Sequence, residues 1–240
     1  MEMEMQHQVM GYDRASTMFS PDGRILQVEY AEKTVRLGSA SIGIICEDGI
    51  VIVADKRIFD PLVLPESSMK IWEIDSHIIS TASGILSDAR VLIERAQVVA
   101  QQHRVTYDEP IDVESVIKDI ANIKQAYTQY GGARPFGIEI MVAGINSDDS
   151  KKLYVSDVTG NYIGYNATAI GENDERIKEM LREGWREGLV IEQGIKLALN
   201  IFRKVLGKNF NIERFEVAYI KKDEKKVKRI FGEALLKYIK

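Results

Sequence analysis

Residues 12–38 read YDRASTMFSPDGRILQVEYAEKTVRLG, and no other stretch of the chain carries as much structural information. Near its middle, Ser20 can cap a helix and Pro21 suits a first helical turn. Apolar residues then recur at helical spacing as far as Leu37, and Gly38 is a typical residue for the end of a helix. The pattern predicts a helix over about residues 22–37.

Beyond this helix, β-rich runs alternate with turn signals. Residues 40–46 and 50–54 are two such runs, and the Asp48-Gly49 pair between them is a strong hairpin signal. The other predicted strands are residues 71–74, 77–82, 138–145, 153–156, 162–170 and 215–220. The charged run at residues 221–229 is predicted to be a solvated turn, followed by a short helical end from residue 231.

Helical periodicity appears twice, each time as two consecutive segments. The first pair shows apolar faces at Ile85, Ala89, Leu92, Ala96 and Val99, and at Val113, Val116, Ile120 and Tyr127. The second pair is predicted at about residues 172–183 and 192–206. Because helices and strands are grouped rather than alternating, the order favours an α+β fold with antiparallel sheets over a parallel doubly wound sheet. Spacing alone leaves the stacking of the layers open.

Composition excludes several classes of protein. The 240 residues are 45% hydrophobic, enough for a substantial core, and 32 Lys+Arg against 36 Asp+Glu give a net charge of -4. Without a positive field, we expect no nucleic-acid partner. No run approaches the ~18 apolar residues of a membrane span, and the start of the chain lacks a secretion signal, so no membrane partner and a cytoplasmic location are expected. The single cysteine, Cys46, is predicted to be a buried thiol.

Metal and cofactor chemistry find little support. The three histidines, His7, His77 and His103, have no metal-ligand spacing. Neither a GxSxG elbow nor a Gly-rich phosphate loop is present. We predict no metal and no cofactor.

Residues 12–38 closely resemble the N-terminal signature of archaeal-type 20S proteasome α subunits. The similarity continues through IVIVADK (50–56), KIWEID (70–75), SGILSDARV (83–91) and YTQYGGARPFG (127–137). It implies the four-layer αββα sandwich of the Ntn-hydrolase fold, with antiparallel sheets flanked by helix pairs, which agrees with the order of segments. It also implies a tail at residues 1–12 before a single domain at 13–240. After Gly171 the resemblance weakens, because Glu172, Asn173 and Asp174 stand where the family usually has a small residue and glycine.

The resemblance implies a non-catalytic subunit of the outer ring of the proteasome core particle. The implied partners are other α subunits in a seven-membered ring, the proteasome β subunits, unfolded protein substrates, and a regulatory AAA ATPase or other activator that docks through its C-terminal tails. The implied role is to gate entry to the chamber in ubiquitin-independent protein degradation.

A catalytic alternative centres on Ser39. By eye it aligns with the N-terminal threonine nucleophile of catalytic relatives, and Asp55 and Lys70 match their acidic and lysine partners. The alternative is therefore a self-processing Ntn amidohydrolase. Against it, the residues before Gly38 carry the α signature and a helix, unlike a propeptide, and an uncleaved Ser39 has no free α-amine. We predict no catalytic residue. A stand-alone binding module with this fold is a further alternative.

The resemblance also implies a gate. Residues 1–10 would close the axial pore, and charge-assisted contacts would hold the closed or open arrangement. The implied gate cluster is Tyr12, Asp13, Arg14, Pro21 and Tyr30. The alternative for Asp13 and Arg14 is a role as solvated surface charges.

A docking pocket for activator C-termini is implied at Lys70, with Glu29, Gly38 and Gly84 near the same pocket between subunits. A lysine can pair with a terminal carboxylate, and glycines let a peptide backbone approach closely. The alternative for Lys70 is a structural ion pair.

Overall fold

The computed structural model of the chain describes Gly11, residues 15–57 and residues 62–239. Its helices are α1 (Leu26–Leu37), α2 (Leu86–Tyr107), α3 (Val113–Tyr127), α4 (Asp174–Gly184) and α5 (Ile191–Leu206). Its strands are β1 (Ser41–Cys46), β2 (Gly49–Asp55), β3 (Ile71–Asp75), β4 (Ile78–Gly84), β5 (Ile138–Ile145), β6 (Lys151–Ser156), β7 (Tyr162–Gly164), β8 (Ala167–Ile170), β9 (Phe215–Lys221) and β10 (Val227–Phe231).

The strands form two five-stranded antiparallel sheets. The first has the order β10-β9-β2-β1-β8 and the second β3-β4-β5-β6-β7. The position of strand β2 explains why its sequence is an unbroken apolar run, because both of its faces are buried. Ile50 and Ile52 point into the core between the two sheets, whereas Val51 and Val53 face the core outside the first sheet.

A helix pair covers the outer face of each sheet. On the first sheet, α4 and α5 bury apolar side chains that include Leu181 and Phe202. On the second sheet, α2 and α3 bury Leu92 and Ile120 among others. The fold is therefore the predicted α+β four-layer αββα sandwich. None of the helices in the described part of the chain is long and apolar enough to cross a membrane.

Helix α1 begins at Leu26, four residues after the predicted start. Ser20 and Gly23 close a turn instead, because the Gly23 amide donates to the Ser20 carbonyl at 2.8 Å and Gly23 adopts a φ of +75°. The helix ends at Leu37 as predicted and packs Val35 and its apolar neighbours against Val158.

The single strand predicted at residues 162–170 is wrong. The Tyr165 amide donates to the Leu153 carbonyl, whereas the Ile45 amide donates to the Asn166 carbonyl, each at 2.8 Å. The chain therefore passes from one sheet to the other between residues 165 and 166. A continuous β-rich pattern gives no sign of this crossing, because both halves are strands.

The charged run at residues 221–229 is only partly a turn. Its last three residues belong to β10, which pairs with β9 and begins with the apolar Val227. The predicted helical end is a 3₁₀ helix, Gly232–Tyr238. The division into a tail at 1–12 and one domain at 13–240 stays a prediction.

Candidate functional site

The end of helix α1 brings together two predicted pocket glycines. A Cβ on Gly38 would lie 2.4 Å from the Gly84 amide nitrogen and 2.3 Å from the Ser83 hydroxyl oxygen. Gly84 has a φ of +114°, and a Cβ there would lie 2.1 Å from the Gly137 carbonyl oxygen. Contacts this short exclude any side chain, so both positions require glycine.

Lys70 contacts Ser39, the residue after Gly38, and is only 2% exposed. Its Nζ donates to the Ser39 hydroxyl at 2.7 Å and also to the Ser39 carbonyl. Burial lowers the pKa of Lys70 to about 7, against the opposing effect of the Asp55 and Glu216 carboxylates; the Arg57 charge lowers it further. Near neutral pH the residue is therefore divided between its charged and neutral forms.

The predicted acidic partner, Asp55, pairs with another residue. Its carboxylate accepts hydrogen bonds from Arg214 Nε at 3.1 Å and Arg214 Nη2 at 2.6 Å. It also accepts one from the Arg57 amide at 2.8 Å. Asp55 thus acts on Lys70 through its charge, without a direct ion pair in the described residues.

Glu216 on β9 belongs to the same cluster and was not predicted. One carboxylate oxygen accepts hydrogen bonds from the Lys70 and Ile71 amides, which fixes the backbone that carries Lys70. Burial raises the pKa of Glu216. The available signal was a carboxylate inside the otherwise apolar run of β9, since a buried carboxylate needs partners.

Arg57 and Glu172 form the solvent-facing side of the cluster. Arg57 donates through Nη1 to the Leu37 carbonyl at 3.1 Å and pairs through Nη2 with the Glu172 carboxylate. The Glu172 amide donates to the Gly38 carbonyl at 2.8 Å. The sequence marks Glu172 only as a departure from the family pattern, and nothing in it indicates Arg57.

Glu29 lies apart from this cluster within the single chain. It pairs with Arg24 at 3.3 Å and precedes Gly38 by about 13 Å along the axis of α1, at about 1.5 Å per residue. Of the predicted gate cluster, Pro21 is exposed in the turn before α1 and Tyr30 is half-buried on the helix. Tyr12, Asp13, Arg14 and the tail at 1–10 lie outside the described residues.

The nucleophile and lysine of the catalytic alternative do lie side by side, but the base, a free α-amine, would exist only after cleavage before Ser39. Ser39 is joined to Gly38 by a peptide bond, so its nitrogen is an amide that cannot accept a proton from the hydroxyl. Elsewhere, Cys46 is buried as predicted, and burial raises the pKa of its thiol to about 12. His77 contacts the Ile111 carbonyl at 2.8 Å.

Comparison with known proteins gives two family matches. The family model described as "Proteasome subunit" matches residues 35–220. A second model, for the N-terminal signature of A-type proteasome subunits, matches residues 12–33. Together the two matches take in nearly all of helix α1 and the strands of both sheets except β10.

Relatives named "Proteasome subunit alpha" align over nearly the whole chain. The Archaeoglobus fulgidus protein is 43% identical over 230 residues, which cover 96% of this chain and 93% of that protein. The Methanococcus maripaludis protein is 43% identical over 238 residues, 99% and 91% of the two chains. The Pyrococcus abyssi protein is 42% identical over 229 residues, 95% and 87%.

Proposed function

This chain belongs to the proteasome α-subunit family, and we propose that it is a non-catalytic outer-ring subunit that controls entry to the peptidase chamber. As a family member it is a component of a proteasome complex and assembles with other proteasome subunits. The finer points are proposals: a seven-membered ring, contact with β subunits, a cytoplasmic location, and unfolded proteins as substrates.

The observation that carries the non-catalytic role is the integration of α1 into the domain. The helix buries Val28 and Val35, and its last carbonyl, that of Leu37, accepts a hydrogen bond from Arg57. The next carbonyl, that of Gly38, accepts one from Glu172. Cleavage before Ser39 would remove a packed element, whereas a propeptide has to leave without damage to the fold. An uncleaved Ser39 stays without the α-amine that an Ntn nucleophile needs.

Native mass spectrometry tests this role. We expect a ring of seven chains. Each chain should have its full mass of 27.1 kDa, because the Gly38–Ser39 bond stays uncleaved. A subunit that begins at Ser39 and hydrolyses amides would establish the catalytic alternative. A stable monomer would favour a stand-alone binding module.

For the gate, we propose that residues 1–10 obstruct the pore, held by Tyr12, Asp13, Arg14, Pro21 and Tyr30. Each charge-assisted hydrogen bond between neighbours contributes about 1.5 to 3 kcal/mol, and repetition around a ring selects one shared arrangement. Deletion of residues 1–10 in an assembled particle should speed the hydrolysis of small peptides. An unchanged rate would exclude a gate at this tail.

For docking, we propose that C-terminal carboxylates of an activator bind at Lys70, Gly38 and Gly84, with Glu29 near the same pocket in the ring. The two glycines pack closely together at the end of α1, and Lys70 supplies the charge. Because the pKa of Lys70 is lowered to about 7, a bound carboxylate stabilises its charged form. Docking should therefore strengthen as the pH falls from about 8.5 to about 6.5, across the lowered pKa.

The docking test compares Lys70→Met with Lys118→Met, a change at an exposed lysine on α3. We expect Lys70→Met to abolish ATPase-stimulated degradation and its pH dependence while small-peptide hydrolysis persists. Lys118→Met should leave both unchanged. Full ATPase stimulation in assembled Lys70→Met particles would remove Lys70 from the pocket.

A further inference from the structure

Arg57 holds three separate parts of the molecule together. Its amide donates to Asp55 on β2, its Nη1 donates to the last carbonyl of α1, and its Nη2 pairs with Glu172 ahead of α4. The backbone of Arg57 has a φ of +60°, a conformation that a non-glycine residue keeps only where its surroundings impose it. The contacts with Leu37 and Glu172 therefore hold the side chain in place on the solvent-facing side of the Lys70 cluster.

Access distinguishes the two cations of this cluster. Lys70 is buried, and Ser39 accepts its hydrogen bonds. Arg57 has a side chain that is 45% exposed, so an anion arriving from solvent meets it first. A guanidinium also offers paired N–H groups that match the geometry of a carboxylate.

Glu172 already supplies a carboxylate to Arg57. Its amide is bonded to the Gly38 carbonyl, so its side chain is tethered beside the bare backbone at the end of α1. The side chain is 50% exposed, which leaves it room to move away.

We propose that Arg57 is the outer carboxylate-binding residue of the docking site and that Glu172 is its built-in competitor. The ligand is a peptide C-terminal carboxylate, which binds by displacing the Glu172 side chain from Arg57. This inference rests on the proposed docking function and assigns a control of its affinity: a carboxylate ligand binds more weakly by the free energy needed to separate Arg57 from Glu172.

The test measures the affinity of assembled particles for a fluorescent peptide with the C-terminal sequence of a regulatory ATPase, as the free acid and as the C-terminal amide. Glu172→Gln keeps the size of the side chain and removes its charge. We expect it to tighten binding of the free acid by about two- to five-fold, the range for a half-exposed ion pair, with no change for the amide. Arg57→Gln should weaken binding of the free acid, and adding Glu172→Gln to it should give no gain.

Glu94→Gln is the matched control, since Glu94 pairs with Arg90 at 3.1 Å in an exposed ion pair on α2. It changes the net charge equally and should leave both affinities unaltered. An equal gain from Glu94→Gln, an equal gain for the amide, or no gain from Glu172→Gln would overturn the competitor role. If Arg57→Gln prevents assembly, the comparison of Glu172→Gln with Glu94→Gln decides alone.

Failure of the docking proposal itself has a different signature. In that case no particle, wild-type or variant, distinguishes the free acid from the amide, and the competitor role falls with it. If the wild type prefers the free acid and Lys70→Met loses that preference, docking stands whatever Glu172→Gln does.

Discussion

Replacing Lys124 by methionine should stabilise this protein. Lys124 lies on α3 with 0% exposure, and its Nζ donates to the Ser156 carbonyl at 2.9 Å and the Ser156 hydroxyl at 3.3 Å. No carboxylate of the described residues forms a salt bridge with it. Burial lowers its pKa to about 7, and the charges of Asp157 and Glu139 oppose that effect only in part.

The size of the effect follows from the shift. A lowering from 10.5 to about 7 corresponds to a cost on the order of 5 kcal/mol for the buried charged form, as an upper limit. Methionine has a similar volume and no charge, but it loses two hydrogen bonds to Ser156 worth about 1 kcal/mol each. Lys124→Met should therefore raise the free energy of unfolding by up to about 3 kcal/mol at neutral pH.

The advantage of Lys124→Met should depend on pH. Below about pH 7 the lysine is charged in both the folded and the unfolded state, so the cost is complete. Between about pH 7 and 10.5 the folded state releases the proton and the unfolded state keeps it, so the stability of the wild type rises with pH. The advantage of Lys124→Met should thus be largest at about pH 6.5 and smaller at about pH 9. Lys70 contributes to both proteins alike and cancels in the difference.

The assay is guanidinium unfolding at about pH 6.5 and about pH 9, followed by the fluorescence of Trp72 and Trp185. Lys118→Met, on the exposed face of the same helix, is the control and should change stability by less than about 0.5 kcal/mol at either pH. A destabilised Lys124→Met, or an equal difference at both pH values, would refute the account of Lys124 as a costly buried charge.

Two further changes test the frame of the site by urea unfolding. Gly84→Ala should destabilise the protein by at least about 2 kcal/mol or prevent folding, because the new Cβ would overlap the Gly137 carbonyl and the backbone is left-handed. Gly131→Ala is the control and should be nearly neutral, because open space surrounds that Cβ. Equal effects of the two changes would disprove the steric reason. Asp88→Asn should lower the free energy of unfolding by about 1 to 3 kcal/mol at neutral pH. Burial raises the pKa of Asp88, but hydrogen bonds from Arg134 and the Gly137 amide outweigh burial and hold that pKa below its ordinary value. That contribution exists above the ordinary pKa of an aspartate and is lost as the pH falls through the lowered one, so a difference that persists at about pH 2 would contradict it.

Most elements of the fold could be predicted because their patterns are local. The spacing of apolar residues in a strand or helix reflects which of its faces are buried. Nearly every segment of this chain buries one or both of its faces, so its pattern can be read locally. The prediction failed where partners decide the outcome. Residues 162–170 divide between two sheets because β7 pairs with β6 and β8 pairs with β1, and neither the switch nor its position is encoded in the local pattern.

The residues of the proposed docking site could also be predicted only in part. Lys70, Gly38 and Gly84 were predicted through resemblance to a family, and the structure brings these three together. Arg57 was missed because its role depends on a left-handed backbone and on partners in α1 and ahead of α4, which no spacing in the sequence encodes.

Lys124, by contrast, had a readable signal. The apolar face predicted for α3 runs through Val113, Val116 and Ile120 and resumes at Tyr127. A step of seven residues in a helix leaves residues 123 and 124 between, each one turn from both ends of the step. Ile123 packs partly against the core, and Lys124 is fully buried. A lysine at a position that the helical period assigns to the core has to be either a partnered charge or a group that gives up its proton. With Ser156 as the partner and no carboxylate of the described residues in contact, the second alternative follows, and the pKa of about 7 expresses it. The helical period therefore makes Lys124 a candidate for burial, whereas the sign of its effect on stability follows from the partners that the structure gives it.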